Sequence, residues 1–106
     1  YVISLIRDQF GRLDVLVNNV GPFLARSVLE MSVAEWRMIL DGNLSSAFYY
    51  ARAALPLMRQ QRSGIIINMG SLNAELARGA PTVAAYNAAK AALVVLTRSL
   101  ARSEGP

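Results

Sequence analysis

Three features of the sequence predict an α/β fold with two parallel strands. Two short β-branched runs, residues 13–17 and 65–67, lie nearly 50 residues apart, and the segment between them carries helical periodicity. Further helical patterns precede the first run and follow the second. Strands joined by a tight turn pair antiparallel, whereas strands joined by a long helical crossover are parallel, which places the chain in the α/β class.

Each element has its own warrant. Val2, Ile6 and Phe10 follow helical spacing and stop at Gly11, the residue type that closes helices in a left-handed conformation. The run Leu13-Asp14-Val15-Leu16-Val17, ended by Asn18-Asn19, reads as a buried strand. In Ser32-Val33-Ala34-Glu35 the serine stands three residues before the glutamate, a capping box that starts a helix by supplying partners for orphan N–H groups. That helix runs towards Asp41-Gly42-Asn43 and resumes with Leu44, Ala47, Phe48, Ala51, Leu55 and Met58 on one face. Pro56 lacks an N–H and crowds the Arg52 carbonyl, so a bend is expected there. Gly64 and Gly70 bracket Ile65, Ile66, Ile67, Asn68 and Met69, whose apolar start fits a strand covered on both faces. The last helix is expected to begin near Pro81-Thr82 and to bury Tyr86, Ala89, Leu93, Leu96 and Leu100.

Composition removes whole classes of chemistry. With no Cys and no His among 106 residues, 54% of them apolar, there is no disulfide framework, zinc finger, haem ligand or Ser-His-Asp triad. A hydrolase built on Ser71 lacks both a histidine and a Gly-x-Ser-x-Gly elbow. No apolar run reaches the ~20 residues of a membrane span. No secretion signal opens the chain, so a cytoplasmic protein is the expectation and Asn43-Leu44-Ser45 is an accidental glycosylation sequon. The net charge of +4 comes from scattered arginines rather than a patch, which argues against nucleic acid as a partner. The Tyr1 start, already inside a helical pattern, and the Gly105-Pro106 close read as the ends of a cut segment.

In an open parallel sheet, ligands bind beyond the carboxyl ends of the strands. Both strands end there in notable residues. After the first comes Asn18-Asn19-Val20-Gly21-Pro22, where Gly21 lets backbone approach a ligand closely; after the second comes Gly70-Ser71, a hydroxyl at the same rim. Alone, each is an ordinary turn. Tyr86 and Lys90 weigh more: at i and i+4 on one helix they are neighbours, and a nearby ammonium favours phenolate, which makes a tyrosine usable as general acid and base. Lys90 is the only lysine among 11 basic residues. The bland alternatives are a core aromatic for Tyr86 and a snorkelling surface charge for Lys90.

At these residues the sequence resembles the short-chain dehydrogenase/reductase family. The matching segments are the Asn18-Asn19-Val20-Gly21 turn, Asn43-Leu44 in a helix, Ile67-Asn68-Met69-Gly70-Ser71, and Tyr86-Asn87-Ala88-Ala89-Lys90, in the family's order and close to its spacing. The resemblance implies a part of a Rossmann-like doubly wound parallel sheet. It also implies an NAD(P)-dependent oxidoreductase acting on a ketone or secondary alcohol. By the same resemblance Tyr86 exchanges the proton, and Lys90 favours its ionised form and holds the nicotinamide ribose. Ser71 would bond the substrate oxygen, Asn43 would anchor a water that relays protons to Lys90, and Asn18 and Gly21 would line the adenosine and ribose side of the cofactor.

Departures from the family pattern qualify the site. Val20 stands where the family usually has Ala, Gly70 replaces the first serine of a common Ser-Ser pair, and residues 72–85 form a longer segment than usual. The seven glycines nowhere make the Gly-rich turn that cradles a pyrophosphate. By resemblance that turn, and the residue that selects NAD or NADP, lie upstream of Tyr1. The chain is thus expected to be the central, catalytic part of one domain, truncated at both ends, and inactive in isolation. Family members form dimers and tetramers through the two long helices kept here, so a homodimer or homotetramer is expected. The rival from another class is a non-enzymatic interaction module using Tyr49, Tyr50 and Val94.

Overall fold

A computed structural model describes residues 1–19, 21–71, 79 and 81–105. Val20, the long segment after Ser71 up to Ala80 apart from Gly79, and Pro106 lie outside the described residues, and with them the sequence readings on Val20 and on most of residues 72–85. The order is α1 (Val2–Phe10), β1 (Val15–Asn18), α2 (Val33–Leu40), a π-helical segment (Asp41–Ser45), α3 (Ser46–Gln61), β2 (Ile65–Asn68) and α4 (Ala84–Glu104).

The two strands pair parallel, with Val15 opposite Ile65 and Asn18 opposite Asn68. The α/β class and the parallel pairing are as the sequence predicts. The register is sealed at both ends by Ile65 N–H donating to Asp14 O (2.9 Å) and Met69 N–H to Asn18 O (3.2 Å). Gln61, the last residue of α3, also reaches back to the start of β1. Its amide accepts from Leu13 N–H and donates to Leu13 O, both at 2.8 Å. A side chain thereby serves Leu13 as a neighbouring strand would.

α1 ends as expected on Gly11, at φ 74°, whose N–H donates to Arg7 O. Its buried residue is Ile3 rather than the Val2, Ile6, Phe10 stripe, because Ile3 packs with Ala54 and Met58 of α3 over Leu13, Leu16 and Ile66. Among the described residues only this face of the sheet is covered. Val15, Val17, Ile65 and Ile67 point away and stay 43–57% exposed, which corrects the expectation that β2 is covered on both faces. Four β-branched side chains on one face of two strands are patterned for a second layer.

The capping box forms: Ser32 Oγ accepts from Glu35 N–H (3.0 Å), and Glu35 Oε1 accepts from Ser32 N–H (2.9 Å). Where the sequence reads an interruption at Asp41-Gly42-Asn43 before the helix resumes at Leu44, the helix instead widens by one residue and continues. Ser46 N–H bonds Asp41 O, five residues back, and Asn43 turns inward. α3 passes through Pro56 within its range. Its buried residues are Ala47, Ala51, Ala54, Leu57 and Met58, with Phe48 47% exposed.

α4 starts at Ala84, a few residues later than expected, and its buried face differs from the expected one. Ala85, Asn87, Ala89, Lys90 and Leu93 are buried, whereas Tyr86, Leu96 and Leu100 are only partly covered. Small alanines at 85 and 89 let α4 approach the α2 and π-helical layer closely, and that approach turns Lys90 inward.

Candidate active site

Because the strands are parallel and in register, the segments that leave them, through Gly21 and through Ser71, start from the same edge of the sheet. Asn18 and Asn68, the last residues of the two strands, are tied by Asn18 Nδ2 donating to Asn68 Oδ1 at 2.8 Å. The Asn18 amide therefore spends one donor on holding the strand ends together.

The turn after β1 lies directly against the π-helical segment. Asn43 is 2% exposed, and its Nδ2 donates to Pro22 O (2.8 Å) and Ile39 O (2.9 Å). A Cβ at Gly21 would overlap Asn43 Oδ1 and come within 2.8 Å of Cγ; a Cβ at Gly42 would overlap the Pro22 ring. Glycine at both positions is what allows two backbones to meet around one buried amide. Asn43 Oδ1 has no hydrogen-bond partner among the described residues, the one such buried side-chain atom found there. A buried acceptor left unpaired costs about 1–3 kcal/mol.

Pro22 leads to Phe23, which the sequence reading missed. Its ring meets Tyr86 edge-on, with centroids 5.0 Å apart and planes at 79°, while the side chain stays 61% exposed. The available signal was an aromatic directly after the Gly-Pro turn. Arg26 N–H donates to Thr82 O (2.7 Å), so the loop after β1 is fastened over the start of α4 at a second point.

Tyr86 and Lys90 share a face of α4 as predicted, with Lys90 Nζ 5.8 Å from the Tyr86 ring centroid. The lysine is 5% exposed and donates to Met69 O at 2.9 Å. It is a buried ammonium rather than a snorkelling one, and burial lowers its pKa below the ordinary value. Tyr86 is half-buried, so it is not a core aromatic. Ser71 is half-buried too and stands two residues beyond the Met69 carbonyl that receives Lys90. Tyr86, Lys90, Gly21 and Asn43 are thus linked through Phe23 and Pro22, with Ser71 on the strand end that anchors Lys90. Among the described residues no group of acidic, His or Cys side chains could hold a metal ion, and no helix is long and apolar enough to cross a membrane.

These features have counterparts among known proteins. A family model described as Enoyl-(Acyl carrier protein) reductase matches residues 1–106. The chain is 40% identical over 101 residues to the 3-oxoacyl-[acyl-carrier-protein] reductase FabG of Escherichia coli, covering 95% of this chain and 41% of that protein. It is 43% identical over 101 residues to FabG of Staphylococcus aureus, covering 95% and 40%. A solved chain from Bacillus thuringiensis superposes with a TM-score of 0.93 at 34% identity, over 97% of this chain and 44% of the other. The solved structure of gox2181 does so with a TM-score of 0.90 at 30% identity, over 98% and 41%. The chain spans about two fifths of the length of the curated relatives it matches. A parallel strand pair with the Tyr86–Lys90 helix at its carboxyl edge, and a family match over the whole chain, make this a member of the short-chain dehydrogenase/reductase family.

Proposed function

We propose that the protein carrying this chain is an oxidoreductase that transfers hydride between NAD or NADP and a ketone or secondary alcohol, with Tyr86 as the general acid and base. The observation that carries this reading is the buried ammonium of Lys90, held 2.9 Å from Met69 O and 5.8 Å from the Tyr86 ring at the carboxyl edge of the sheet. Burial of an only lysine has a cost that packing alone does not call for.

The residues present suit the nicotinamide-ribose half of such a cofactor. An ammonium carries three donors, of which one goes to Met69, and Lys90 and Tyr86 would hold the ribose. By the family resemblance Asn18 and the exposed Gly21 would line the rest of the cofactor. A bound nicotinamide supplies or takes the hydride. The chain's own residues handle the proton: in reduction Tyr86 Oη–H donates to the carbonyl oxygen as negative charge develops there, and in oxidation the phenolate takes it back. Ser71 Oγ donates a second hydrogen bond to the same oxygen, so charge is met from two sides. Asn43, through an anchored water, passes protons on towards Lys90.

We assign the chain as the central part of a single Rossmann-like domain, with a small carbonyl or alcohol compound as substrate and a cytoplasmic setting. Homodimer or homotetramer formation would use α3 and α4, where Tyr49 is 64% and Tyr50 39% exposed, whereas Val94 is partly covered and its neighbour Val95 is the exposed one. Assaying the protein with NADH and NADPH over a panel of ketones tests the reading, with Tyr86→Phe as the decisive variant. Tyr86→Phe should abolish turnover and leave cofactor affinity nearly unchanged; unaltered turnover removes Tyr86 from its role.

A further inference from the structure

We propose that Asn68 and Thr97 form a positioning brace that orients α4, and through it Lys90 and Tyr86, relative to the end of β2; the proposal rests on the oxidoreductase reading above. Asn68 is the last residue of β2 and spends both ends of its amide. Its Oδ1 accepts from Asn18 Nδ2 (2.8 Å), and its Nδ2 donates to Thr97 Oγ1 (3.0 Å). Thr97 Oγ1 in turn donates to Leu93 O (2.7 Å), which settles the direction of every proton in the chain of bonds. The relay runs from the end of one strand, through the end of the other, into the middle of the helix.

The geometry explains what such a relay does. Thr97 lies seven residues after Lys90, close to two turns and therefore on the same side of α4, ~10 Å along its axis. The helix touches the β2 end at both places: at Asn68 through Thr97, and at the next residue, Met69, through Lys90. One contact leaves a rod free to tilt and roll about it. Two contacts ~10 Å apart define its direction. Tyr86 lies ~6 Å beyond Lys90 on the side away from Thr97, so tilt about the Met69 contact carries the phenol with it. Ala85, Ala89 and Leu93 are buried in the first half of α4, whereas Leu96 and Leu100, in the half that carries Thr97, are only partly covered, so the brace acts on the end that apolar packing holds least.

The test compares the intact protein carrying this chain with its Thr97→Val form, which keeps shape but loses the hydroxyl, and with Thr97→Ser, which keeps the hydroxyl. Three quantities are read: kcat and KM for a ketone, thermal midpoint, and the rate of acetylation of Lys90 by acetic anhydride, followed by mass spectrometry. For Thr97→Val the expectation is a kcat about tenfold lower with KM unchanged, because misplacement of a reacting group is felt in the chemical step. Acetylation of Lys90 should rise severalfold in the same variant. Thr97→Ser should return both to near the starting values. Asn68→Ser leaves the helix sequence untouched and should lower kcat and raise Lys90 labelling at least as far as Thr97→Val, since it removes the Asn18 bond as well; adding Thr97→Val to it should add little, because the Thr97 bond is already gone. Unchanged kcat and unchanged Lys90 labelling in Thr97→Val, whatever the thermal midpoint does, overturns the brace, as do additive losses in the double variant. If the unmodified protein reduces no ketone with either cofactor, the oxidoreductase reading fails, and Lys90 labelling alone then decides the brace.

Discussion

Lys90 Nζ donates to the carbonyl oxygen of Met69 at 2.9 Å, joining the middle of the last helix to the residue that follows β2. The bond places a buried cation at the carboxyl edge of the sheet, and its cost and its use can be separated by experiment.

Replacing Lys90 with Met should abolish the proposed activity while leaving stability at neutral pH within about 1 kcal/mol or raising it, since apolar replacements of buried charges are often neutral or stabilising. The pH dependence has a definite sign. Burial lowers the folded-state pKa of Lys90 below 10.5, so between the two values the unfolded chain binds more protons and the native state gains stability as pH rises. The stability advantage of Lys90→Met should accordingly shrink as pH approaches 10.5. Urea unfolding of both forms at neutral and alkaline pH measures this; an advantage that grows with pH contradicts it.

Gly21→Ala should destabilise the protein by about 1–3 kcal/mol, the usual cost of forcing atoms into a filled space. The added Cβ falls on Asn43, whose amide is held by Pro22 and Ile39. In the Asn43→Ala background the same substitution should cost much less, since the obstructing side chain has gone. Denaturant midpoints of the four forms give the coupling, and additive losses would place the clash elsewhere.

Gln61→Ala should cost about 1–3 kcal/mol, because Leu13 N–H and O, part-buried at the start of β1, lose both partners at once. Hydrogen exchange at the Leu13 amide should speed up more than exchange at Val17. Equal acceleration at both would mean that the strand, not the clamp, had loosened.

The 106 residues on their own should bind nicotinamide cofactor weakly or not at all. They contain no Gly-rich turn for a pyrophosphate, and the outward face of the sheet carries Val15, Val17, Ile65 and Ile67 uncovered. Fluorescence titration with NADH and NADPH checks this, and micromolar binding would show that the pyrophosphate cradle is dispensable.

Local patterns made much of the fold and site legible. Glu35 three residues after Ser32 makes a capping box through bonds that span a single turn, and Gly11 closes α1 by its own backbone freedom. The i, i+4 spacing of Tyr86 and Lys90 brings them together on any helix. Two apolar runs with a helical crossover leave parallel pairing as the outcome, so Gly21 and Ser71 share an edge. The widening at Asp41–Ser45 was not legible as such: Asp41-Gly42-Asn43 has the composition of a helix end, whereas the backbone continues through Ser46 N–H bonding Asp41 O and the Asn43 amide turns inward onto Pro22 and Ile39.

The sequence by itself determined which residues are near one another along the chain, the order and direction of the strands, and the identity of the chemistry-bearing side chains. Tertiary structure decided which of them are buried and which partners they take. Lys90 and Tyr86 occupy the same helix face, yet one is 5% exposed and the other half-buried, because among the described residues α2 and the π-helical layer pack on one side of α4. The bonds from Asn68 to Asn18 and Thr97, and from Gln61 to Leu13, span 29 to 50 residues. Their geometry exists only once the strands have paired, and no local periodicity encodes a contact whose two halves meet that late.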